Sequence, residues 1–272
     1  MLVNQAKQWN EVAKRWPHRT IANELLAEHK RKIYLGLLAR WAEVNKTRLI
    51  LETDLFAEAF GLEQFLFDVA EANGKVVGID ISNQIVAQAK KQAAHYEVDA
   101  TRFLCCDVRN LPFPDNVFDL VISISTLDHF HSEIHIITAI RELRRVLRVG
   151  GTLILTIDNK SNLTYPPYIF VRLWMLLGLA PYFIGKSLSR QELRHILEES
   201  GFYMADSTAI FHYPHPDCLV RWLESSLCRL SKGKFDNAIR KCLDSLDRLE
   251  GKRSQYLTGR YLAVKAVKRE IS

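Results

Sequence analysis

Short apolar runs alternate regularly with amphipathic helical patterns between residues 48 and 158, and this alternation constrains the fold more than any other feature of the chain. Such runs are typical of buried β-strands, and the stretches between them are long enough to cross over a sheet. We therefore expect an α/β fold in which helices cover both faces of a mostly parallel sheet, with a ligand crevice at the carboxyl ends of the strands. The predicted strands are RLILETD (48–54), KVVGIDIS (75–82), TRFLCCD (101–107), FDLVISIS (118–125) and GTLILTID (151–158), followed later by DSTAIFHY (206–213) and GRYLAVKAV (259–267).

Polar residues mark where several helices begin. Ser82 and Ser132 are placed to cap the helices after the second and fourth predicted strands, and Gly150 lies just past the expected end of the second of these helices. Ser189 stands three residues before Glu192, which is the spacing of a capping box. These signals support the helical assignments independently of the apolar periodicity.

The predicted domain organisation follows from where the alternation starts and is interrupted. Residues 1–46 form an N-terminal helical segment with a break at Pro17, and residues 47–268 form the main domain. Two insertions interrupt that domain: an apolar cap at 159–186 and a helical stretch at 216–250.

Charge and cysteine content narrow the classes of partner. The formal net charge is +6, but the basic residues alternate with apolar ones at helical spacing and form no aromatic-interleaved stripe, so we expect no nucleic-acid partner. The five cysteines include no C-x-x-C pair, which disfavours a metal site and disulfides and fits a reducing compartment. The N-terminus lacks the apolar core of a signal peptide, so we expect a cytoplasmic protein.

Carboxylates end the second and third predicted strands. Asp80, in VVGIDIS, would point into the crevice and can accept hydrogen bonds from both hydroxyls of a ribose, although it can also cap the following helix. Asp107 can accept a hydrogen bond from an adenine amino group between apolar neighbours, or it can form the turn before Asn110 and Pro112. The strand–turn–helix context favours the ribose role for Asp80.

Histidines follow the fourth predicted strand, in STLDHFHS. His129 and His131 lie near the expected crevice beside Asp128, and a histidine at the mouth of a site can act as a general base near neutral pH. Two histidines on a surface turn are also common without any chemical role, so both interpretations stay open.

Taken together, these segments resemble the class I S-adenosylmethionine (SAM)-dependent methyltransferases. The resemblance rests on VVGIDIS, FLCCDVRNLPFPDNVFDLVISISTLDHF and ITAIRELRRVLRVGGTLILTIDN, and it covers residues 48–160 well and 187–268 loosely. It implies a Rossmann-like three-layer sandwich with a seven-stranded, mostly parallel sheet that ends in two antiparallel strands. It also implies SAM as cofactor, with the second-strand acid on the ribose and the third-strand acid on the adenine.

The first loop departs from the family pattern, in which an acid precedes a glycine-x-glycine-x-glycine sequence. Here Glu52 or Asp54 can be the acid and Gly61 the last glycine, with no glycine between them. Side chains would crowd the methionine end of SAM unless the loop is wider, and Asp54 or Glu58 would then meet the ligand's ammonium group. The missing glycines disfavour a nicotinamide-dependent oxidoreductase more strongly, because a pyrophosphate must sit against the loop backbone.

The resemblance implies in-line methyl transfer to a small-molecule acceptor, with most of the acceleration coming from alignment. A base is needed only where the acceptor must lose a proton, and the candidates are His129, then Tyr165 and His131. The altered first loop leaves an alternative open: a SAM-binding protein of the same fold with other chemistry or with none. The expected cofactor-binding residues are Asp54, Glu58, Gly61, Asp80, Ile81, Asp107, Val108 and Ser125.

The predicted cap is strongly apolar, with YPPYIFVRLWMLLGLAPYF at 165–183. One hypothesis is that it covers a hydrophobic acceptor such as a lipid, a polyketide or an aromatic metabolite, or that 165–185 contacts a membrane surface. The alternative is that these side chains form core against the N-terminal helices. Arg172 and Pro181 make the segment a poor membrane span.

Overall fold

The structure, a computed structural model, describes residues 5–16, 24–42, 49–61, 63–73, 75–99, 102–165, 170, 173, 175, 177, 185–213 and 236–270. The strands are β1 (Ile50–Glu52), β2 (Val76–Asp80), β3 (Phe103–Cys105), β4 (Phe118–Ile124), β5 (Leu147–Asp158), β6 (Phe202–Ile210) and β7 (Tyr261–Lys268). The helices are α1 (Gln5–Arg15), α2 (Glu24–Trp41), α3 (Phe56–Phe60), α4 (Leu66–Asn73), α5 (Asn83–His95), α6 (Glu133–Val146), α7 (Arg190–Glu199), α8 (Asp236–Asp247) and α9 (Gln255–Thr258).

The strands form one sheet in the order β3-β2-β1-β4-β5-β7-β6. β1 pairs in parallel with β2 and β4, so that Ile50 is in register with both Val76 and Leu120. β7 runs antiparallel between β5 and β6, with Asp158 opposite Tyr261. The prediction of a seven-stranded, mostly parallel sheet is confirmed. Because the strand order reverses between β1 and β4, the ligand crevice belongs at the carboxyl ends of those two strands.

Successive residues of the central strands enter two separate cores. Ile50 and Ile122 pack in the core that includes side chains of α2, α4 and α5, whereas Leu51 and Val121 pack in the core that includes α6 and α7. All four side chains are fully buried. Side chains alternate across a strand, so a strand covered on both faces needs a continuous apolar run. That is why the apolar runs in the sequence identified these strands.

The capping signals mark real helix starts. The hydroxyl of Ser82 accepts a hydrogen bond from the backbone N–H of Ile85 at 3.2 Å, which confirms the predicted cap of α5. Ser189 and Glu192 form the predicted capping box at the start of α7. Ser132 precedes α6 as predicted, but its side chain makes no capping hydrogen bond.

β5 and β6 begin earlier than the sequence pattern predicts. α6 ends at Val146 and β5 follows at once, so Gly150 does not terminate the helix but lies inside β5 with φ +75°. The positive φ coincides with a register shift between β4 and β5, and glycine tolerates that conformation without strain. β6 begins at Phe202 rather than at the start of 206–213, because pairing with β7 extends to Lys268.

The predicted insertions lie largely outside the described residues. Of the cap at 159–186, the structure describes 159–165, 185–186 and a few single positions. The segment predicted to contact a membrane, 165–185, therefore also lies mostly outside the described residues. Of the stretch at 216–250, it describes the residues from 236 onward, which include α8. Within the described ranges, no helix combines the length and apolarity needed to cross a membrane.

Candidate functional site

A cleft opens where the strand order predicts the crevice, at the carboxyl ends of β1, β2 and β4. Its empty volume is about 540 Å³, part of which is open to solvent. The sheet edge and the segments after β1, β2, β3 and β4 form most of its wall, and α1 contributes from outside the sheet. The described lining residues are Gln5, Trp9, Thr53, Asp54, Phe56, Asp80, Ile81, Ile85, Cys106, Asp107, Val108, Thr126, His129 and Phe130.

The cleft brings together many of the residues that the sequence singled out. Those in its wall are Asp54, Asp80, Ile81, Asp107, Val108 and His129. The others are not among the described lining residues: Glu58, Gly61, Ser125, His131 and Tyr165.

Asp80 ends β2 and is 7% exposed. Its Oδ1 accepts a hydrogen bond from the backbone N–H of Ser82 at 2.8 Å, and its Oδ2 accepts one from the N–H of Leu55 at 3.3 Å. Burial, followed by the nearby charge of Asp54, raises the pKa of Asp80 well above its usual value. The two backbone donors fix the orientation of a carboxylate that still has lone pairs available for a ligand.

The first loop is polar where the family pattern has glycine. Asp54 Oδ1 accepts a hydrogen bond from the backbone N–H of Phe56 at 2.7 Å, and α3 begins at that residue. Burial raises the pKa of Asp54 to about 6. The hydroxyl of Thr53 contacts those of Ser123 (2.9 Å) and Thr126 (2.8 Å), which ties the loop to β4. The loop therefore leads into a short helix that is held at its start, and is not an open glycine turn.

Two buried glutamates and a glycine lie in or next to this loop but outside the described lining of the cleft. Glu58 is fully buried, and its Oε1 accepts a hydrogen bond from the backbone N–H of Leu66 at 3.1 Å. Burial raises the pKa of Glu58 to about 8 and that of the buried Glu52 well above its usual value. A Cβ on Gly61 would lie 2.8 Å from the carbonyl oxygen of Ala57, so the chain passes too close there for a side chain.

Asp107 carries an ion pair that the sequence pattern does not indicate. The guanidinium of Arg109 binds both carboxylate oxygens, with Nε 3.0 Å from Oδ1 and Nη2 2.5 Å from Oδ2. Partial burial opposes ionisation, but these hydrogen bonds outweigh it and hold the pKa of Asp107 below its usual value. Arg109 also lies 5.0 Å from the ring centroid of Phe130, a residue of the cleft wall. Asp107 is therefore ionised and fixed in direction at neutral pH.

α1 is the main part of the site that the sequence did not reveal. Trp9 lines the cleft, and its ring lies 4.8 Å from that of His129 and 5.9 Å from that of Phe56. Gln5 donates a hydrogen bond from Nε2 to the carbonyl oxygen of His129 at 3.2 Å. Asn10 accepts one from the hydroxyl of Ser82 at 2.6 Å. The tryptophan was visible in the sequence, but helical periodicity does not say which surface a helix packs against.

The turn after β4 separates the two predicted histidines. His129 ends a short 3-10 helix, Leu127–His129, and lines the cleft, whereas His131 is exposed. Asp128 is buried, and its Oδ2 accepts a hydrogen bond from the hydroxyl of Ser125 at 2.8 Å. The turn thus presents His129 to the cleft, whereas the described lining of the cleft does not include Asp128.

Tyr165 lies beyond this turn, next to β5. Its side chain is partly buried. Burial raises the pKa of its phenol, with smaller contributions from Asp158 and Asp128, while a hydrogen bond with Ser187 acts in the opposite direction. The phenol is therefore a neutral hydrogen-bonding group at physiological pH and not a base.

The charges of the cleft fit a cationic ligand. Its described lining includes three aspartates, Asp54, Asp80 and Asp107, and neither lysine nor arginine. The lining also includes the thiol of Cys106. Burial raises the pKa of this thiol to about 12, so it stays neutral. A sulfonium and an ammonium group are stabilised in such a site, whereas a pyrophosphate is repelled by Asp54 at the first loop. The residues present therefore fit SAM.

These features define a Rossmann-like α/β fold with a cleft at its switch point. Residues 59–155 match the family model described as a methyltransferase domain. This part of the chain is therefore similar to SAM-dependent methyltransferase domains.

Known proteins similar to this chain include methyltransferases and one enzyme of a different kind. Demethylmenaquinone methyltransferase of Symbiobacterium thermophilum is 29% identical over 158 residues, 57% of this chain and 59% of that protein. The structure of magnesium protoporphyrin IX methyltransferase of Synechocystis with bound S-adenosylhomocysteine (SAH) has a TM-score of 0.54 and 18% identity, and covers 90% of this chain and 84% of that chain. The [4+2]-cyclase SpnF has a TM-score of 0.56 and 21% identity, with 87% and 80% coverage.

The identities and coverages determine what these similarities show. At 18% and 21% identity, the structural matches show the fold. The chain spans less than two thirds of the length of the curated relatives it matches.

Proposed function

We propose that this protein transfers the methyl group of SAM to a small-molecule acceptor. The observation that carries the proposal is the oriented carboxylate of Asp80 at the end of β2, inside a cleft with an acidic wall. When bound, SAM supplies a methyl group that its positively charged sulfur already activates. The work left to this chain is to bind the two reactants, align them and exclude water.

Each residue of the cleft wall has a proposed place. Asp80 accepts hydrogen bonds from the ribose hydroxyls, and Asp107 accepts one from the adenine amino group. Ile81 and Val108 pack against the adenine ring. Asp54 stabilises the cationic methionine end. The support for this assignment is that all five residues line one cleft and that the carboxylates of Asp80 and Asp107 are held by neighbouring donors.

The predicted residues outside the described lining act indirectly in this proposal. Glu58 and Gly61 shape the first loop, and Ser125 orients Asp128. His129 lies between the cleft and the turn after β4, where it can contact the acceptor. His131 is exposed and has no proposed contact with either reactant.

The acceptor is proposed to be a small molecule with an apolar part. Two similar proteins act, by name, on demethylmenaquinone and on magnesium protoporphyrin IX, which supports this class. The apolar content of 165–183 is consistent with a cover over such a molecule. A cytoplasmic location, a boundary between residues 1–46 and 47–268, and membrane contact through 165–185 also stay proposals.

A second candidate function has a specific observation behind it. The first loop is a short helix with Asp54 and Phe56 in the cleft wall, where the family pattern has glycines. A cyclase shares the fold. The alternative is therefore a SAM-binding protein of this fold whose chemistry is not methyl transfer. A nicotinamide-dependent oxidoreductase is disfavoured because Asp54 would repel a pyrophosphate.

Calorimetry of the full chain with SAM, SAH and NADH tests the proposal. We expect SAM and SAH to bind and NADH not to bind. Asp80→Ala should weaken SAH binding at least about tenfold, because the proposed hydrogen bonds from the ribose hydroxyls are lost. The matched control is Asp115→Ala, whose carboxylate is 67% exposed and pairs with Arg145 on the surface. Binding of NADH without SAM or SAH would overturn the assignment. SAM binding without transfer to any acceptor class would favour the second candidate.

A further inference from the structure

A second group of buried polar side chains lies at the same edge of the sheet, towards β5 and β7. Asp128 follows β4, Asp158 ends β5 and Arg260 precedes β7; they are 3%, 8% and 5% exposed. Tyr165 interacts electrostatically with all three. We call these four residues the β4–β5 polar cluster. The described wall of the cofactor cleft includes none of them.

The carboxylate of Asp128 is oriented but only half bonded. Its Oδ2 accepts the hydrogen bond from Ser125, whereas its Oδ1 is buried and has no hydrogen-bond partner among the residues that the structure describes. Ser125 has φ +50°, a costly conformation for a residue other than glycine, and such residues cluster at functional sites. A buried acceptor without a donor is unfavourable, so Oδ1 is a position where a ligand O–H or N–H would be stabilising.

The cluster borders the cofactor cleft. Thr126, His129 and Phe130 line the cleft from the turn that carries Asp128. Burial, the hydrogen bond from the Phe56 backbone and the charge of His129 affect the pKa of Asp54 most. The negative charge of Asp128 also raises that pKa, so the two carboxylates lie within electrostatic range. A ligand group at Oδ1 of Asp128 would therefore be adjacent to the bound cofactor.

The charged and polar groups of the cluster are complementary to a polar ligand group. The guanidinium of Arg260 is always protonated, and it lies 5.1 Å from the ring centroid of Tyr261. Two carboxyl groups and one guanidinium therefore lie in the cluster. A hydrogen-bond donor is the complementary group for Asp128, and the neutral phenol of Tyr165 can donate to or accept from the same ligand.

We propose that the β4–β5 polar cluster binds the polar end of the methyl acceptor, and that the acceptor is an oxygen or nitrogen nucleophile whose O–H or N–H donates a hydrogen bond to Oδ1 of Asp128. The proposal rests on the methyltransferase function proposed above. It excludes a carbon nucleophile, and it makes Asp128 rather than His129 the group that takes the proton.

The acceptor oxygen or nitrogen forms a bond to the methyl carbon, and the carbon–sulfur bond breaks with its electron pair left on sulfur, which becomes the neutral thioether of SAH. The acceptor's proton passes to Oδ1 of Asp128 and then to solvent. Burial raises the pKa of Asp128 to about 6, which suits a base that must be ionised near neutral pH.

The proposal is tested by measuring how matched pairs of fragments bind to the SAH-saturated protein. Ligand-observed NMR measures the binding. One pair is catechol and 1,2-dimethoxybenzene, which differ in O–H donors. The other is benzylamine and benzyltrimethylammonium, which differ in N–H donors at equal charge. We expect the donor member of at least one pair to bind about tenfold more tightly than its methylated partner. The pair that shows this preference distinguishes a hydroxyl acceptor from an amine acceptor.

Variants connect the preference to Asp128. Asp128→Asn retains the shape but presents an amide donor where Oδ1 accepts, so the preference should disappear while SAH affinity stays within about twofold. Ser125→Ala leaves the carboxylate but removes its orienting hydroxyl, so the preference should fall partway; this second variant covers the case in which Asp128→Asn fails to fold. Asp115→Asn on the surface should change nothing.

Several outcomes would overturn the proposal. These are equal binding of both members of each pair, a preference that survives in Asp128→Asn, and no donor fragment whose binding depends on Asp128. Failure of the underlying function is separately visible. If the wild-type chain does not bind SAH, the methyltransferase proposal fails, while the fragment preference can still be measured in the protein without SAH.

Discussion

The indole of Trp9 packs edge-on against the imidazole of His129, with ring centroids 4.8 Å apart and planes inclined by 73°. This contact joins α1 to the turn after β4 across the cleft. Gln5 reinforces it through the hydrogen bond to the His129 carbonyl, and Asn10 fixes the same helix to Ser82 at the start of α5. The N-terminal helix thus forms part of the wall of the cleft.

Replacing Trp9 should therefore weaken cofactor binding. We expect Trp9→Ala to lower SAH affinity about tenfold, equivalent to about 1.4 kcal/mol, because the cleft loses an aromatic wall and the helix loses its main contact with the turn. Calorimetric titration with SAH measures this. Lys14→Ala is the control, since Lys14 is exposed on the same helix and pairs only with Glu11 in the described contacts. Equal affinities in the two variants would contradict a role for α1.

Glu58 should make the stability of the protein depend on pH. Burial raises its pKa to about 8 in the folded protein, from an unperturbed value of 4.5. A carboxyl group with a raised folded-state pKa stabilises the fold fully below its unfolded pKa, and this contribution is lost as pH rises through the folded pKa. The free energy of unfolding should therefore fall between about pH 4.5 and pH 8. Glu58→Gln should reduce that slope, as measured by denaturant unfolding at a series of pH values.

Asp54 should make cofactor binding depend on pH in the opposite sense. Its pKa of about 6 means that much of it is protonated in the free protein at pH 5 and ionised at pH 7. A cationic methionine end favours the ionised form, so SAM and SAH should bind more tightly as pH rises from 5 to 7, with release of protons. Calorimetry in buffers of different ionisation enthalpy detects that release.

The matched variants separate these two carboxylates. Asp54→Asn should remove most of the pH dependence of binding between pH 5 and pH 7, whereas Glu58→Gln should leave it in place, because Glu58 is not among the described lining residues. If Asp54→Asn binds SAM with an unchanged pH profile, Asp54 does not face the cationic end.

Asp107 should discriminate adenine from its deaminated form. Arg109 holds its carboxylate ionised and fixed in direction, so it can accept from an amino group but not from a carbonyl oxygen. The wild-type protein should bind SAH about tenfold more tightly than S-inosylhomocysteine, in which a carbonyl replaces the amino group. Asp107→Ala should reduce that ratio to near one, and Asp115→Ala should preserve it. A ratio unchanged in Asp107→Ala would place the adenine elsewhere.

The sheet and the two acids at strand ends were predictable because both follow from local periodicity. A continuous apolar run identifies a strand buried on two faces, and the residue after such a run in a parallel sheet lies at the carboxyl edge. Asp80 and Asp107 could therefore be placed in one cleft without any knowledge of distant contacts. The strands β6 and β7 were predicted for the same reason. The start of β6 was not, because it depends on antiparallel pairing with β7.

The parts that could not be predicted depend on contacts between distant residues or on backbone geometry. Trp9 meets His129 across 120 positions of sequence, and no periodicity in α1 encodes that partner. The first loop was compared with a glycine pattern, whereas FAEAF folds as α3 because Asp54 binds the N–H of Phe56. The sequence indicates Asp128 only as a neighbour of two histidines, because neither its burial nor its hydrogen bond with Ser125 follows from local periodicity.

Gly185 is a position where backbone contact alone should decide stability. A Cβ there would lie 2.5 Å from the carbonyl oxygen of Phe130 and would also meet that of Asp128, so the segment packs directly on the turn that carries the proposed acceptor contact. Backbone atoms cannot move aside as a flexible side chain can. Gly185→Ala should therefore lower the free energy of unfolding by about 2 kcal/mol and also weaken binding of donor fragments at Asp128.

Gly36 provides the matched control, because it lies inside α2 and a Cβ there would meet nothing within 4 Å. Gly36→Ala should raise the free energy of unfolding by about 0.5–1 kcal/mol, since alanine has the higher helix propensity. Denaturant unfolding of both variants checks the two signs. If both substitutions stabilise the protein, the 185–189 segment does not pack on the turn as the structure shows, and the acceptor side of the site must be formed differently.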